Sequence, residues 1–163
     1  MVGLDDMYKR ILYPTDGSDG SEAAIEHVRE MAEAFDATVH VLHVVDTRQF
    51  TLGTDGNYLA GPMGYTGDRP SREDQKRELE ERARPFVEEV AAGFEGIDTV
   101  PVVREGNPHK VILEYIDEND IDLVVMGAEG RTGVDRYLLG SVSERVVRLS
   151  DPPVVTVRAD EAE

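Results

Sequence analysis

The chain of 163 residues carries 34 acidic and 17 basic residues, a formal net charge of −17 that opposes binding to nucleic acid, because phosphate neutralisation needs clustered Lys and Arg. It contains no cysteine, which excludes disulfides and thiolate chemistry, and no apolar run approaches the about 20 residues of a membrane span. We therefore expect a cytoplasmic protein with one domain over residues 1–163, including a flexible loop at 47–70 and a frayed tail at 159–163.

The first part of the chain predicts two strands joined by a helix. The apolar run at 10–15 predicts a short buried strand. Ser18 or Asp19 can cap a helix that continues to Phe35. Residues 37–46 are nearly all β-branched or apolar, as in parallel strands that are covered on both faces.

The middle of the chain begins with residues 47–70, which hold five glycines, have no periodicity and predict a long loop. A helix capped by Ser71 follows, and Pro85 lies inside it, where a proline is expected to kink the helix. Residues 99–105 predict a third strand. The next helix has Asn107 as its N-cap and Pro108 as its first residue.

The last part of the chain predicts a strand at 121–127, a helix and a final strand at 152–158. Ser141 and Glu144 match the S-x-x-E capping box at the start of that helix. The alternation of strands and helices predicts an α/β protein with a parallel sheet that is covered by helices on both faces.

Four glycines occur in the segment GAEGRTGVDRYLLGS, residues 127–141, between a predicted strand and a predicted helix. Ligands of doubly wound sheets bind beyond the carboxyl ends of the strands. Glycines allow backbone N–H groups to approach an anion, and the helix N-terminus adds donors and a partial positive charge. The segment therefore predicts a phosphate site, although it matches neither the P-loop nor the dinucleotide fingerprint.

The spacing of Gly127, Gly130, Gly140 and Ser141 after an apolar strand resembles the ATP-binding signature of the universal stress protein family. The segments YKRILYPTDGS, VLHVVD and LLGSVSERVVRLSDPPVVTVR resemble its first strand, its second strand, and its last helix and strand. The resemblance implies a single doubly wound five-stranded parallel sheet in the order 3-2-1-4-5, with helices on both faces, of the adenine-nucleotide alpha-hydrolase-like type. It also implies ATP, a divalent cation (Mg or Mn) and a homodimer.

The resemblance further implies roles for individual residues. On the adenine side these are Pro14, Thr15, Asp16, Val44, Met126 and Gly127. Asp16 is expected to act through its carboxylate and Val44 through its backbone. Phosphate contacts are implied for Gly130, Arg131, Gly140, Ser141 and Val142.

Other interpretations stay open at this point. Without the resemblance, Asp16 is equally well explained as a cap of the first helix. His40 and His43 are three residues apart on a strand, so they face opposite sides and cannot share a metal ion. Ser18, Ser21 and Ser141 have no nearby histidine in the sequence, so nucleophilic catalysis has no support.

We expect an ATP-binding universal stress protein that acts as a nucleotide-dependent switch in stress response or signalling, and not an enzyme. The alternatives are a slow ATPase and a nucleotide-free interaction module of the same fold. Residues 154–158 are expected to form an apolar sheet edge that pairs two copies into a homodimer; a downstream protein partner is unknown. Three lysines against fourteen arginines, with dispersed acidity, indicate a halophilic host, the alternative being an ordinarily acidic mesophile protein.

Overall fold

The computed structural model describes residues 7–47, 72–128 and 140–159. Its strands are β1 (Arg10–Pro14), β2 (Thr38–Asp46), β3 (Thr99–Gly106), β4 (Leu123–Gly127) and β5 (Val154–Val157). Its helices are α1 (Asp19–Glu22), α2 (Ile25–Phe35), α3 (Arg72–Ala92), α4 (Pro108–Glu118) and α5 (Ser141–Leu149). The strands form one parallel sheet in the order β3-β2-β1-β4-β5, as predicted.

Helices cover both faces of the sheet, which confirms the predicted doubly wound arrangement. Ile11 and Tyr13 of β1 point to the face that packs against α2 and α3. Leu12 points to the opposite face, in the cluster formed with α4 and α5. Both faces of β1 are therefore buried, which explains its nearly continuous apolar sequence.

The predicted first helix is divided into α1 and α2. Ser18 is the N-cap, and its Oγ accepts from the Ser21 N–H at 3.2 Å. The Ala24 N–H donates to the Ser21 carbonyl at 3.2 Å, and the Tyr13 hydroxyl donates to the same carbonyl at 2.5 Å. These contacts replace the regular helical bond from Ala24 to Gly20, so the helix is interrupted between Glu22 and Ile25.

The second and third predicted helices, which are α3 and α4 in the structure, begin near the expected residues. α3 continues through Pro85. α4 begins at Pro108 with an extended Asn107 as its N-cap residue, as predicted, but the Asn107 side chain makes no capping hydrogen bond.

The capping box predicted for Ser141 and Glu144 is wrong. Gly140 is the N-cap residue of α5, and its carbonyl accepts from the Glu144 N–H at 2.9 Å. The Gly140 N–H donates to the Ala128 carbonyl at 2.7 Å, which sets the point where the helix starts. The Glu144 carboxylate pairs with Arg148, one turn further along the helix.

One outer edge of the sheet is interrupted by a proline. The Val39 N–H donates to the Asp98 carbonyl at 2.9 Å. Since backbone groups of alternate residues point the same way, even-numbered residues of β3 face β2 and odd-numbered residues face outward. Pro101 therefore lies at an outward position without an N–H donor, which is where sheets tolerate proline.

The other outer edge, formed by β5, keeps its donors. The Ala128 N–H donates to the Val157 carbonyl at 2.8 Å, so odd-numbered residues of β5 face β4. Val154 and Thr156 consequently direct their backbone N–H and carbonyl groups outward.

Several predicted features lie outside the described residues. These are Ser71, Gly130, Arg131, the loop at 47–70 apart from Thr47, and the tail beyond Ala159. Within the described ranges, no helix combines the length and apolar character needed to cross a membrane.

Candidate functional site

β1 and β4 cease to pair beyond Leu12 and Val124, and the space between their carboxyl ends is called the crevice below. The described pairing of β1 with β4 ends at those two residues, whereas its pairing with β2 continues to Pro14 and Leu42. The Thr15 N–H donates to the Leu42 carbonyl at 2.9 Å, so Pro14 directs its nitrogen toward β4. That nitrogen carries no hydrogen, so the ladder lacks a donor where the strands separate. The strand order reverses here, the position at which doubly wound sheets bind ligands.

The turn from β1 into α1 borders this crevice. Buried Thr15 accepts from the Gly17 N–H at 3.2 Å and donates to the Ser21 hydroxyl at 3.0 Å through Oγ1. Asp16 is exposed, and its Oδ1 accepts from the Ser18 N–H at 2.9 Å. Ser18, and not Asp16, therefore caps the helix, and the Asp16 carboxylate stays exposed in the turn that follows β1.

Backbone groups of β2 extend past the end of β1. The Leu42 carbonyl faces β1, where it accepts from Thr15. Val44 is two residues further along and directs its N–H and carbonyl to the same side. The half-buried Val44 side chain packs against the cluster under α4 and α5. Val44 thus offers a backbone donor and acceptor beside the crevice.

His43 supports the same turn from the other face of the sheet. Its Nδ1 lies 2.8 Å from the Thr15 carbonyl oxygen, and its ring packs edge-on against Phe86 with centroids 5.4 Å apart. Because a carbonyl only accepts, Nδ1 is the protonated nitrogen. From the sequence, His43 was considered only as a possible metal ligand. Its contact with Thr15 was not predicted, because it depends on the pairing of β1 with β2.

The end of β4 is packed tightly between two helices. A Cβ added to Gly127 would lie 2.3 Å from the Gly20 carbonyl oxygen of α1, so only glycine fits there. On the other side, the Ser143 hydroxyl of α5 donates to the Gly127 carbonyl at 2.7 Å. The Met126 side chain is buried in the cluster with Val146. Gly127 therefore has a packing role as well as its predicted place beside the base.

The first turn of α5 begins beside Gly127. The N–H groups of Ser141, Val142 and Ser143 belong to the first turn of a helix, where they have no acceptor within the helix. The N-cap residue, Gly140, has no side chain that could accept from them. Ser141 is exposed. The turn thus presents donors and the positive end of the helix dipole.

Ser143 was not among the predicted site residues. It is 4% exposed and is the third residue of α5. Its position three residues before the buried Val146 places it on the inner face of the helix, a signal that the sequence does contain. What the sequence does not contain is the acceptor, which is contributed by β4.

Two ionisable groups on the strands themselves, Tyr13 of β1 and His40 of β2, have shifted pKa values. Burial raises the pKa of Tyr13, although hydrogen bonds with Thr15 and Ser21 oppose the shift, and the phenol remains a donor. Burial also lowers the pKa of His40, with a smaller contribution from Arg10. The Nδ1 of His40 lies 2.6 Å from the Tyr115 hydroxyl.

The predicted adenine-side and phosphate-side residues fall at one end of the sheet where they are described. His40 and His43 contact Tyr115 and Phe86 on opposite faces of the sheet, so the prediction that the two side chains face opposite sides is confirmed. In the described ranges, no three His, Asp or Glu side chains are grouped closely enough to hold a metal ion.

A model of the universal stress protein family matches residues 7–158. The chain belongs to the universal stress protein family. Universal stress protein MJ0577 of Methanocaldococcus jannaschii is 33% identical over 155 residues, which are 93% of this chain and 96% of that protein. Universal stress protein MJ0531 of the same organism is 35% identical over 159 residues, covering 98% of this chain and 87% of the relative.

Solved structures of the family have the same fold. The structure of MJ0577 superposes with a TM-score of 0.75 at 30% identity and covers 96% of this chain and 99% of its own. A universal stress protein in complex with cAMP gives a TM-score of 0.59 at 22% identity, with 94% and 99% covered. An Arabidopsis thaliana family protein with AMP bound gives 0.60 at 17% identity, with 93% and 92% covered.

Proposed function

We propose that this protein binds ATP in the crevice and acts as a nucleotide-dependent switch in stress response or signalling. The observation that carries the proposal is the first turn of α5, which begins at Gly140 and Ser141 beside the end of β4. Its N–H groups lack a side-chain cap, and a phosphate is the ligand that such a turn suits. Gly130 and Arg131, which lie outside the described residues, are proposed to complete the phosphate contacts.

The adenine base is proposed to lie between the first turn and β2. The backbone of Val44 provides one donor and one acceptor on that side, the pair that can meet an adjacent acceptor and amino group of adenine. The exposed Asp16 carboxylate accepts a further hydrogen bond. Thr15 has its hydroxyl engaged with Gly17 and Ser21, so it shapes the pocket and does not donate to the base through that group.

A divalent cation is proposed to bind mainly through the phosphate oxygens. The described residues provide no group of three metal-ligating side chains. Mg²⁺ in nucleotide sites is typically held by substrate phosphates, water and one or two protein ligands, so such a set is sufficient. The cation would neutralise phosphate charge in a protein with a net charge of −17.

The relatives support an adenine nucleotide as the ligand class. Two family structures of the same fold hold cAMP and AMP. ATP is preferred here because the spacing of Gly127, Gly130, Gly140 and Ser141 resembles the ATP-binding signature of the family.

A switch is favoured over an enzyme because three hydroxyl groups near the crevice are bonded to other groups and not to a histidine. The hydroxyl of Thr15 is bonded to Ser21, that of Ser21 to the Ser18 carbonyl, and that of Ser143 to Gly127. None of these three contacts involves a histidine, so none activates a nucleophile. Slow ATP hydrolysis is the rival function, and release of inorganic phosphate by purified protein at saturating ATP tests it.

A homodimer through β5 is part of the proposal. Val154 and Thr156 direct intact backbone groups away from the sheet, while Pro101 interrupts the opposite edge. A second copy that is related by a two-fold axis would pair the two β5 edges in antiparallel orientation.

The test combines identification of the nucleotide with calorimetry. Mass spectrometry of the purified protein should identify bound adenine nucleotide. Ser141→Ala should weaken ATP binding roughly ten- to hundredfold, the equivalent of one charge-assisted hydrogen bond, with adenosine binding unchanged. Failure of the nucleotide-free wild type to bind millimolar ATP in the presence of Mg²⁺ would overturn the proposal.

A further inference from the structure

Ser143 makes a buried contact that the proposed nucleotide site does not itself explain. Its hydroxyl leaves its own helix and donates to the Gly127 carbonyl on β4 at 2.7 Å. The side chain is almost completely buried, so water cannot replace this bond. The contact joins the first turn of α5 to the last residue of β4.

The Gly127 carbonyl points toward the crevice. The N–H groups of Val124 and Ala128 donate to carbonyls of β5, so even-numbered residues of β4 face β5. Gly127 is odd-numbered and directs its carbonyl toward β1. The described pairing of β1 with β4 ends three residues earlier, at Val124. Ser143 therefore supplies the donor for a carbonyl at the point where β1 has separated from β4.

The opposite side of Gly127 is held as well. The Gly20 carbonyl of α1 lies where a Gly127 side chain would be, so β4 cannot shift toward α1. With the end of β4 held, the Ser143 bond sets how far the first turn of α5 lies from the crevice. The Gly140 bond to Ala128 fixes only the N-cap residue.

We infer that Ser143 is a positioning residue for phosphate binding, an inference that rests on the proposed function. It orients the N–H groups of Ser141 and Val142 toward the phosphates. It also satisfies a carbonyl oxygen whose negative end would otherwise face a bound anion. Both effects depend on the charge of the phosphates. Gly127 is also assigned to the adenine side, but its backbone is held by the Gly20 carbonyl and by its pairing with Val157, so loss of the Ser143 hydroxyl leaves the base side in place.

A positioning role and ordinary core stabilisation predict different effects when the Ser143 contact is lost. Loss of a stabilising contact lowers the melting temperature without changing the preference between ligands. Loss of a phosphate-positioning contact weakens ATP binding and leaves adenosine binding unchanged. Ser150 offers a matched control, because its hydroxyl donates to the Pro152 carbonyl at 3.1 Å at the other end of α5.

The experiment measures ATP and adenosine binding by calorimetry in molar KCl with Mg²⁺, for the wild type and four variants. Ser143→Ala should bind ATP about tenfold more weakly and adenosine within about twofold of the wild type. Ser143→Thr keeps the hydroxyl and should restore ATP binding. Ser143→Cys keeps the volume with a weaker donor and should fall between, and it serves if the alanine variant does not fold. Ser150→Ala should match the wild type for both ligands.

The outcomes separate this inference from the proposed function. Wild-type ATP affinity in Ser143→Ala, or an equal loss for ATP and adenosine, would overturn the inference and leave the proposed function intact. A loss in Ser143→Thr as large as in Ser143→Ala would also overturn it. If the wild type binds neither ligand, the proposed function fails and the inference fails with it.

Discussion

His43 of β2 donates from Nδ1 to the carbonyl oxygen of Thr15 across 2.8 Å. The bond ties the second strand to the turn that follows the first strand, and Phe86 packs against the same imidazole. A residue on the face opposite to α4 and α5 thereby helps to fix the turn that presents Asp16.

Replacing this histidine should loosen the turn. His43→Leu removes the donor to the Thr15 carbonyl and should cost about 1–3 kcal/mol in the free energy of unfolding, the range for an unsatisfied buried polar group. Amide exchange of Gly17 and Ser18 should accelerate. His27→Leu is the control, because His27 is exposed on α2. Equal stability of the His43 and His27 variants in urea denaturation would contradict this assignment.

A methyl group at Gly127 should strain the contact between β4 and α1. Its Cβ would lie 2.3 Å from the Gly20 carbonyl, and overpacking of this kind typically costs about 1–3 kcal/mol. Gly127→Ala should therefore lower the urea midpoint. Gly93→Ala is the comparison, since its Cβ would lie 3.2 Å from the nearest heavy atom, the Val90 carbonyl oxygen, and it should lose less stability. The reverse order of the two variants would disprove the tight packing.

Acid should remove the stabilisation that comes from His40. Burial lowers the pKa of this imidazole below its ordinary value of 6.5, so the unfolded state binds more protons in the window between the two pKa values. The contribution is complete above pH 6.5 and is lost as the pH falls through the folded-state pKa.

The measurement is the unfolding free energy of the wild type and His40→Gln at pH 7.5, 6 and 5. The groups that face His40 are the Tyr115 hydroxyl and, through its charge, Arg10. The difference between the two proteins should shrink as the pH falls. A constant difference would exclude a role for His40 titration.

Salt should stabilise the protein. With a net charge of −17, self-repulsion is strong in dilute buffer. The screening length falls from about 10 Å at 0.1 M to about 3 Å at 1 M, so molar KCl should raise the melting temperature. A melting temperature that stays flat from 0.1 to 2 M KCl would argue against adaptation to a salty cytoplasm.

Proline at the open sheet edge should produce monomers. Thr156→Pro removes an outward N–H from β5, and light scattering in high salt should report half the wild-type mass. Thr99→Pro is the matched control, because Thr99 faces outward on β3, the edge that is not proposed to pair. A wild type that is monomeric at tens of micromolar would refute the dimer directly.

The strands and their order could be predicted, because continuous apolar runs such as 37–46 are typical of doubly covered strands and the family resemblance supplied the order. The break between α1 and α2 could not be predicted, since its cause is the Tyr13 hydroxyl and the packing of Gly20 against distant Gly127. The same holds for the start of α5. Its capping signal, Ser141 and Glu144, was overridden by the bond from Gly140 to Ala128.

The candidate site, like the fold, could be predicted from the sequence only in part. Glycine spacing indicated the end of the sheet at which the candidate site lies, because a close backbone approach requires glycine and the residue type can be seen in the sequence. The supports of that end, Ser143 and His43, were missed because each donates to a backbone carbonyl on another strand. Every residue has a backbone carbonyl, so the sequence does not show which carbonyl a distant side chain will bond.

Pro101 has a consequence for assembly. A parallel sheet with two open edges can add copies at both ends and grow into a filament, a particular risk where concentrated salt removes the repulsion between acidic surfaces. Because one edge is interrupted by Pro101, pairing through β5 would use up the only uninterrupted edge among the described strands. Growth would then stop at two copies, and salt that favours the proposed dimer would not drive polymerisation.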